Sequence, residues 1–131
     1  MASIVREFSV RADADGVWQK VRDFGAVHRV LAPGFVTDLR MEDGARVVTF
    51  RNGLVTRELL VDLDDAQRRL VYSARSERLV HHNAAVQVHA RAEGGSRLVW
   101  TVDVLPDGMA PGIAAMMDEA VGVMKATLER G

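Results

Sequence analysis

The chain has 131 residues, a formal net charge of −1 and no cysteine. This length fits one domain with one core. The even mixing of acidic and basic residues argues against a nucleic-acid partner. Disulfides, thiolate catalysis and cysteine-ligated zinc are excluded. Arg6 interrupts any signal-peptide core, and no apolar run approaches the ~18 residues of a membrane span. We therefore expect a cytoplasmic protein without a membrane span.

The first segment, "SIVREFSVRA", alternates apolar and polar residues, which predicts a strand. Asp13 or Asp15 can then cap a helix. Two short helical patterns follow within "VWQKVRDFGAVHRVLAPGF", and Pro33 ends the second because proline lacks a backbone N–H. Bulky apolar residues of this stretch are predicted to plug one end of the fold: Trp18, Phe24, Val27 and Leu31.

Six further strands are predicted: "FVTDLRM", "RVVTF", "VTRELLVDL", "RLVYSARS", "HNAAVQVHARA" and "RLVWTVDVL". Turn sequences separate most of them, and the Asn-Gly pair in "RNGL" is typical of a tight hairpin. A long helix with a 3.6-residue apolar repeat is predicted from Ile113, after the chain breakers Pro111 and Gly112. The predicted fold is α+β in one domain over residues 1–131. A curved antiparallel seven-stranded sheet, in the order β-α-α-β6-α, wraps around the C-terminal helix.

Such a curved sheet, packed on a single helix, tends to leave an apolar cavity between them. The element order, together with "VWQKVRDFGAVHRVLAPGF", "TRELLVDLDDAQRRLVYSA" and "SRLVWTVDVLPDG", resembles the START-like, helix-grip superfamily known as SRPBCC. The resemblance extends to its polyketide cyclase/dehydrase and lipid-transport branch. Many of these domains carry "DFGxxHxWxP" at the helix pair, and Val30 stands here where tryptophan is common. The resemblance implies a helix-grip fold with a ligand cavity.

Strand alternation predicts which side chains point into that cavity. Tyr72, His82 and Trp100 lie on the apolar faces of their strands. An inward imidazole can donate or accept a proton, so His82 is a catalytic candidate, and Tyr72 is a second one. Each also has a purely structural interpretation, as a hydrogen-bonded or packed core residue.

The strand "VTRELLVDL" leaves two alternatives open. Counting apolar residues places Arg57 on the inner face, whereas the family resemblance favours Glu58 as the fixed position. An inward charge needs a partner, and Arg6 on the first strand is available for Glu58.

His28 and Arg29, with His81 and His82, are expected near the mouth as a polar rim. Their spacing fits no standard zinc pattern, so we predict neither a metal nor a cofactor. The predicted ligand-binding residues are Trp18, Phe24, His28, Phe35, Arg57, Tyr72, His82, Trp100, Met116 and Met117.

The sequence leaves three functions open. The first is binding of a small hydrophobic molecule such as a lipid, polyketide or aromatic metabolite. The alternative is a polyketide aromatase/cyclase-type enzyme that uses acid and base groups of the cavity. The second alternative is a regulatory protein that acts through its surface. The protein is expected to be a monomer or a homodimer.

Overall fold

The computed structural model describes residues 1–130. It confirms the predicted α+β helix-grip architecture. The strands are β1 (Ala2–Val10), β2 (Val36–Glu42), β3 (Ala45–Phe50), β4 (Val55–Asp64), β5 (Arg69–Arg75), β6 (His81–Ala90) and β7 (Ser96–Leu105). The α-helices are α1 (Ala14–Val21), α2 (Val27–Val30) and α3 (Ala110–Glu129), and single 3₁₀ turns at Phe24–Ala26 and Asp107–Met109 precede α2 and α3.

All seven strands form one antiparallel sheet in the order β1-β7-β6-β5-β4-β3-β2. Five of the six pairings join strands that are consecutive in the chain, as the turn signals predicted. Only β1 pairs out of sequence, alongside β7. The apolar stripe of α3 packs against the sheet and buries Met117, Ala120, Met124 and Leu128.

The α1 helix packs against β6 and β7 and buries Val17 and Trp18. Asp13 occupies the predicted N-cap position, although its side chain makes no hydrogen bond to the helix. The indole Nε1 of Trp18 donates to Asp65 Oδ1 at 2.8 Å, which ties α1 to the β4–β5 turn. The bulky residues of this segment are therefore part of the hydrophobic core at one end of the sheet.

The start of α3 was predicted too late in the chain. The helix begins at Ala110 rather than Ile113, and Pro111 and Gly112 lie in its first turn. Proline is well tolerated there because the first backbone N–H groups of a helix have no intrahelical acceptor. None of the helices within residues 1–130 has both the length and the apolar composition needed to cross a bilayer.

An irregularity in β4 decides which of its residues face inward. The register shifts between Leu60 and Asp62, and Glu58 pairs with Ala74 on one side of the shift. An extra residue in one strand reverses the side on which the following residues point. The apolar count over the whole strand was therefore wrong in assigning Arg57 to the inner face. The Arg57 guanidinium instead bonds Glu42, with Nη1 2.6 Å from Oε1.

Candidate ligand-binding cavity

A cavity of about 210 Å³ lies between the sheet and α3. One wall is formed by apolar residues of α3: Ile113, Met116, Met117, Ala120 and Met124. The short-helix segment adds a second apolar group: Val21, Val27, Leu31, Ala32 and Phe35. Flexible methionine thioethers suit a wall that must adapt to different ligands.

The cavity reaches the surface at one end of the sheet. Leu54, Ser76 and Arg78 line it and are themselves exposed. Leu54 directly precedes β4, the other two follow β5, and Met109, also in the lining, follows β7. In an antiparallel sheet of this order, the start of β4 and the ends of β5 and β7 fall at the same end of the sheet. This end is therefore the mouth of the cavity.

A buried ion pair stands on the sheet wall. Arg46 Nε donates to Glu58 Oε1 at 2.7 Å, and both residues are less than a tenth exposed. Arg46 Nη1 also donates to the Phe24 carbonyl at 3.1 Å, and the guanidinium carbon lies 4.0 Å from the Phe24 ring centre. These contacts satisfy the buried guanidinium in three ways at once, which a buried charge requires.

The predicted pair between Arg6 and Glu58 was wrong. Arg6 lies on β1, at the far side of the sheet from β3 and β4, and its Nε donates to Asp118 Oδ1 of α3 at 2.5 Å. Glu58 instead pairs with Arg46 of the neighbouring strand β3, which lies directly opposite it in the register.

The imidazole of His82 is held in one tautomer. Its Nδ1 accepts the backbone N–H of Ala74 at 3.0 Å, so the neutral ring carries its proton on Nε2. Burial lowers the pKa of His82, and the nearby negative charge of Glu58 opposes that shift only in part. His82 therefore presents an N–H donor to the cavity that it lines.

Tyr72 and Trp100 form a second polar contact on the same wall. Trp100 Nε1 donates to the Tyr72 hydroxyl oxygen at 3.2 Å, and the Tyr72 ring centre lies 6.1 Å from that of His82. Burial raises the pKa of Tyr72 far above its ordinary value. The phenol stays protonated, and its own hydrogen remains free to be donated to a ligand.

The lowered pKa of His82 predicts a pH-dependent stability. A group whose pKa is lower in the folded state contributes stability above its unfolded pKa, near 6.5, and this is lost as the pH falls through the folded value. We expect the melting temperature of the wild type to fall more between pH 7.5 and 5.0 than that of His82→Asn, whose Oδ1 can still accept the Ala74 N–H. Equal acid sensitivity in both proteins would show that His82 does not titrate in this way.

Six of the ten predicted ligand-binding residues line the cavity: Phe35, Tyr72, His82, Trp100, Met116 and Met117. The other four do not. Trp18 and Phe24 lie in the core beside it, and Arg57 lies on the other face of β4. His28 is half-buried outside the lining, and its Nδ1 has no hydrogen-bond partner among residues 1–130. His81 is exposed, and within the described chain no three His, Asp or Glu side chains are grouped to hold a metal.

Four polar residues of the cavity wall were not predicted from the sequence: Arg46, Thr56, Ser76 and Arg78. The Asn-Gly pair in "RNGL" does not give the pairing of Arg46 with Glu58, because a two-residue turn at Asn52 and Gly53 would place Arg46 opposite Leu59. The structure has a three-residue loop over 51–53 instead, which brings Arg46 opposite Glu58. Thr56 lies two residues before Glu58 and shares its face, since side chains alternate along a strand.

The model of the family described as polyketide cyclase/dehydrase and lipid transport matches residues 1–130. No curated protein sequence matches this chain. Solved structures do match it. An uncharacterised protein from Bacillus thuringiensis is 15% identical, with 97% of this chain and 98% of that chain covered and a TM-score of 0.85.

Two further structures extend the comparison. A Thermobifida fusca protein is 26% identical, with 98% of this chain and 91% of that chain covered and a TM-score of 0.73. Norcoclaurine synthase from Thalictrum flavum is 18% identical, with 98% of this chain and 84% of that chain covered and a TM-score of 0.74. The family match spans every described residue, and the neighbours share the fold. The chain therefore belongs to the polyketide cyclase/dehydrase and lipid-transport family.

Proposed function

We propose that the protein binds a small, largely apolar molecule that carries polar groups along one edge. The observation that supports this most directly is the uneven cavity wall. The side formed by α3 is apolar, whereas the sheet side contributes Arg46, Glu58, Tyr72 and His82. Concave apolar sites with a few fixed polar groups are typical of small-ligand binding. The family description, which includes lipid transport, agrees with this proposal.

An enzymatic role is the second candidate, because two proton donors stand side by side on the cavity wall. The fixed Nε2–H of His82 and the hydroxyl of Tyr72 could each donate to a carbonyl oxygen that gains negative charge during an aldol-type step. The family description also includes cyclases and dehydrases, and norcoclaurine synthase shares the fold. An enzyme of this type would lose turnover in His82→Asn while keeping most of its ligand affinity.

Tryptophan fluorescence can test whether a ligand enters the cavity, because the two tryptophans of the chain differ in position. Trp100 lines the cavity and Trp18 does not. After native mass spectrometry for a co-purified ligand, we would titrate the protein with flavone, an uncharged quencher of tryptophan fluorescence. We expect saturable quenching that survives Trp18→Phe and is mostly lost in Trp100→Phe.

The matched variants separate cavity binding from surface binding. Quenching that is lost equally in both variants would place flavone elsewhere. A lack of binding by flavone, fatty acids, sterols and aromatic polyketides alike would contradict the proposal and favour a protein that acts through its surface.

A further inference from the structure

Three polar residues of the cavity wall, Arg46, Glu58 and His82, lie in one row that crosses four adjacent strands. Arg46 of β3 pairs with Glu58 of β4, and Glu58 pairs with Ala74 of β5. His82 of β6 comes next, since Tyr72 pairs with Ala84 and the Ala74 N–H bonds the His82 ring. Glu58 and His82 are thus two strands apart, about 10 Å at the backbone. Ala74 stands between them in the sheet, and the Tyr72 ring borders the gap, with its centre 5.0 Å from the Arg46 guanidinium carbon and 6.1 Å from the centre of the His82 ring. We name this gap the Ala74 slot.

The two sides of the Ala74 slot offer opposite hydrogen-bonding groups. Glu58 uses Oε1 for Arg46, and its Oε2 makes no hydrogen bond to any residue of the described chain. A carboxylate oxygen can only accept. His82, whose Nδ1 is occupied by the Ala74 N–H, can only donate through Nε2. A ligand that lies over Ala74 therefore needs a hydrogen-bond donor on the Glu58 side and a hydrogen-bond acceptor on the His82 side.

Thr56 provides an independent sign of a missing partner on the Glu58 side. It lines the cavity two residues closer to the mouth than Glu58, and its Oγ1 is buried without a hydrogen-bond partner among residues 1–130. Leaving a buried hydroxyl unsatisfied is costly, so such groups in folded proteins usually have a partner. A hydroxyl group on the ligand can act as donor and acceptor and would satisfy Thr56.

Charge narrows the class of ligand further. Glu58 and Arg46 are hydrogen-bonded to each other and cancel, and burial keeps the neighbouring histidine neutral. An ionised ligand group would therefore lose its hydration in the slot without gaining an opposite charge. An uncharged hydroxyl or carbonyl group carries no such cost.

We propose that the Ala74 slot selects uncharged molecules that carry a hydroxyl group at the Glu58–Thr56 side and a carbonyl oxygen at the His82 side. This inference rests on the proposed ligand-binding function and specifies its substrate class.

Three compounds with the same carbon skeleton test the inference: tetralin, 1-tetralone and 6-hydroxy-1-tetralone. Their dissociation constants would be measured by isothermal titration calorimetry at pH 7. We expect 6-hydroxy-1-tetralone to bind at least tenfold more tightly than tetralin, since two hydrogen bonds are added in a site that already provides their partners. The dissociation constant of 1-tetralone should lie between those of the other two compounds.

Thr56→Val is the matched variant, because it keeps the shape of the side chain and removes only the hydroxyl group. Since Oγ1 has no protein partner, the variant should unfold at the same urea concentration as the wild type or a higher one. We expect it to weaken binding of the hydroxy compound several-fold and to leave tetralin unchanged. Equal affinity of the wild type for all three compounds would contradict the proposed selectivity of the Ala74 slot. An unchanged preference of Thr56→Val for 6-hydroxy-1-tetralone over tetralin would contradict it as well. Neither result would contradict ligand binding in the cavity. No binding by any of the three would overturn the slot, and the flavone titration then decides separately whether the cavity binds a ligand.

Discussion

Replacing Glu58 by glutamine is expected to lower the free energy of unfolding by about 3–5 kcal/mol, the usual cost of removing one partner of a buried ion pair. The glutamine Oε1 can still accept from Arg46 Nε, but Arg46 would keep its charge in a site that is less than a tenth exposed, with no carboxylate beside it. Urea denaturation monitored by circular dichroism measures the difference.

Glu42 provides a control of the same chemistry in a different environment. It also accepts a hydrogen bond from an arginine, Arg57 of β4, which lies two strands away across β3, but its side chain is nearly half exposed. Glu42→Gln should cost about 0–1 kcal/mol. Similar losses in Glu42→Gln and Glu58→Gln would mean that water reaches the Arg46–Glu58 pair freely, in contradiction to its burial.

Replacing Ala120 by phenylalanine is expected to reduce flavone affinity by more than about tenfold. Ala120 lies on α3, is buried and lines the cavity, so a phenyl ring there occupies space that a ligand would use. If only two methylene-sized groups of the ligand lose their buried contacts, the loss of binding free energy is about 1.6 kcal/mol, at about 0.8 kcal/mol each. This corresponds to a loss of affinity of more than tenfold. Calorimetric titration with flavone measures the loss.

The control for this variant is Ala115→Phe, on the same helix at an exposed position outside the cavity lining. It should bind flavone like the wild type. The fold of Ala120→Phe should persist, since overpacking typically costs about 1–3 kcal/mol. If the affinity is retained in Ala120→Phe, the ligand does not occupy the space between α3 and the sheet.

Strand alternation was sufficient to predict the inner face wherever a strand is regular. Tyr72, His82 and Trp100 all line the cavity, as the alternation of β5, β6 and β7 indicated. The period-two rule needs only local sequence, which is why it works within each strand. It fails in β4, because a register shift there depends on how the strand meets β5 and leaves no local mark in the sequence.

Contacts between elements were harder to predict. Trp18 was expected to reach a ligand, yet its indole turns to Asp65, a partner 47 residues away in the chain. The helix pattern shows which side of α1 is apolar but not how far the helix lies from the cavity. The partner of Glu58 depends on the length of the β3–β4 loop, since a two-residue Asn-Gly turn would pair Arg46 with Leu59, whereas the observed three-residue loop pairs it with Glu58.

The shift in β4 lets one strand serve two different environments. Its first half brings Thr56 and Glu58 to the cavity, while beyond the shift Leu63 pairs with Leu70 and packs against the hydrophobic core. The extra residue at the register shift thus separates a half of β4 whose inward residues are polar from a half whose inward residues are apolar. Shortening the strand by one residue between Leu60 and Asp62 would force one half to turn outward. Chain length at this point is therefore under tighter constraint than residue identity.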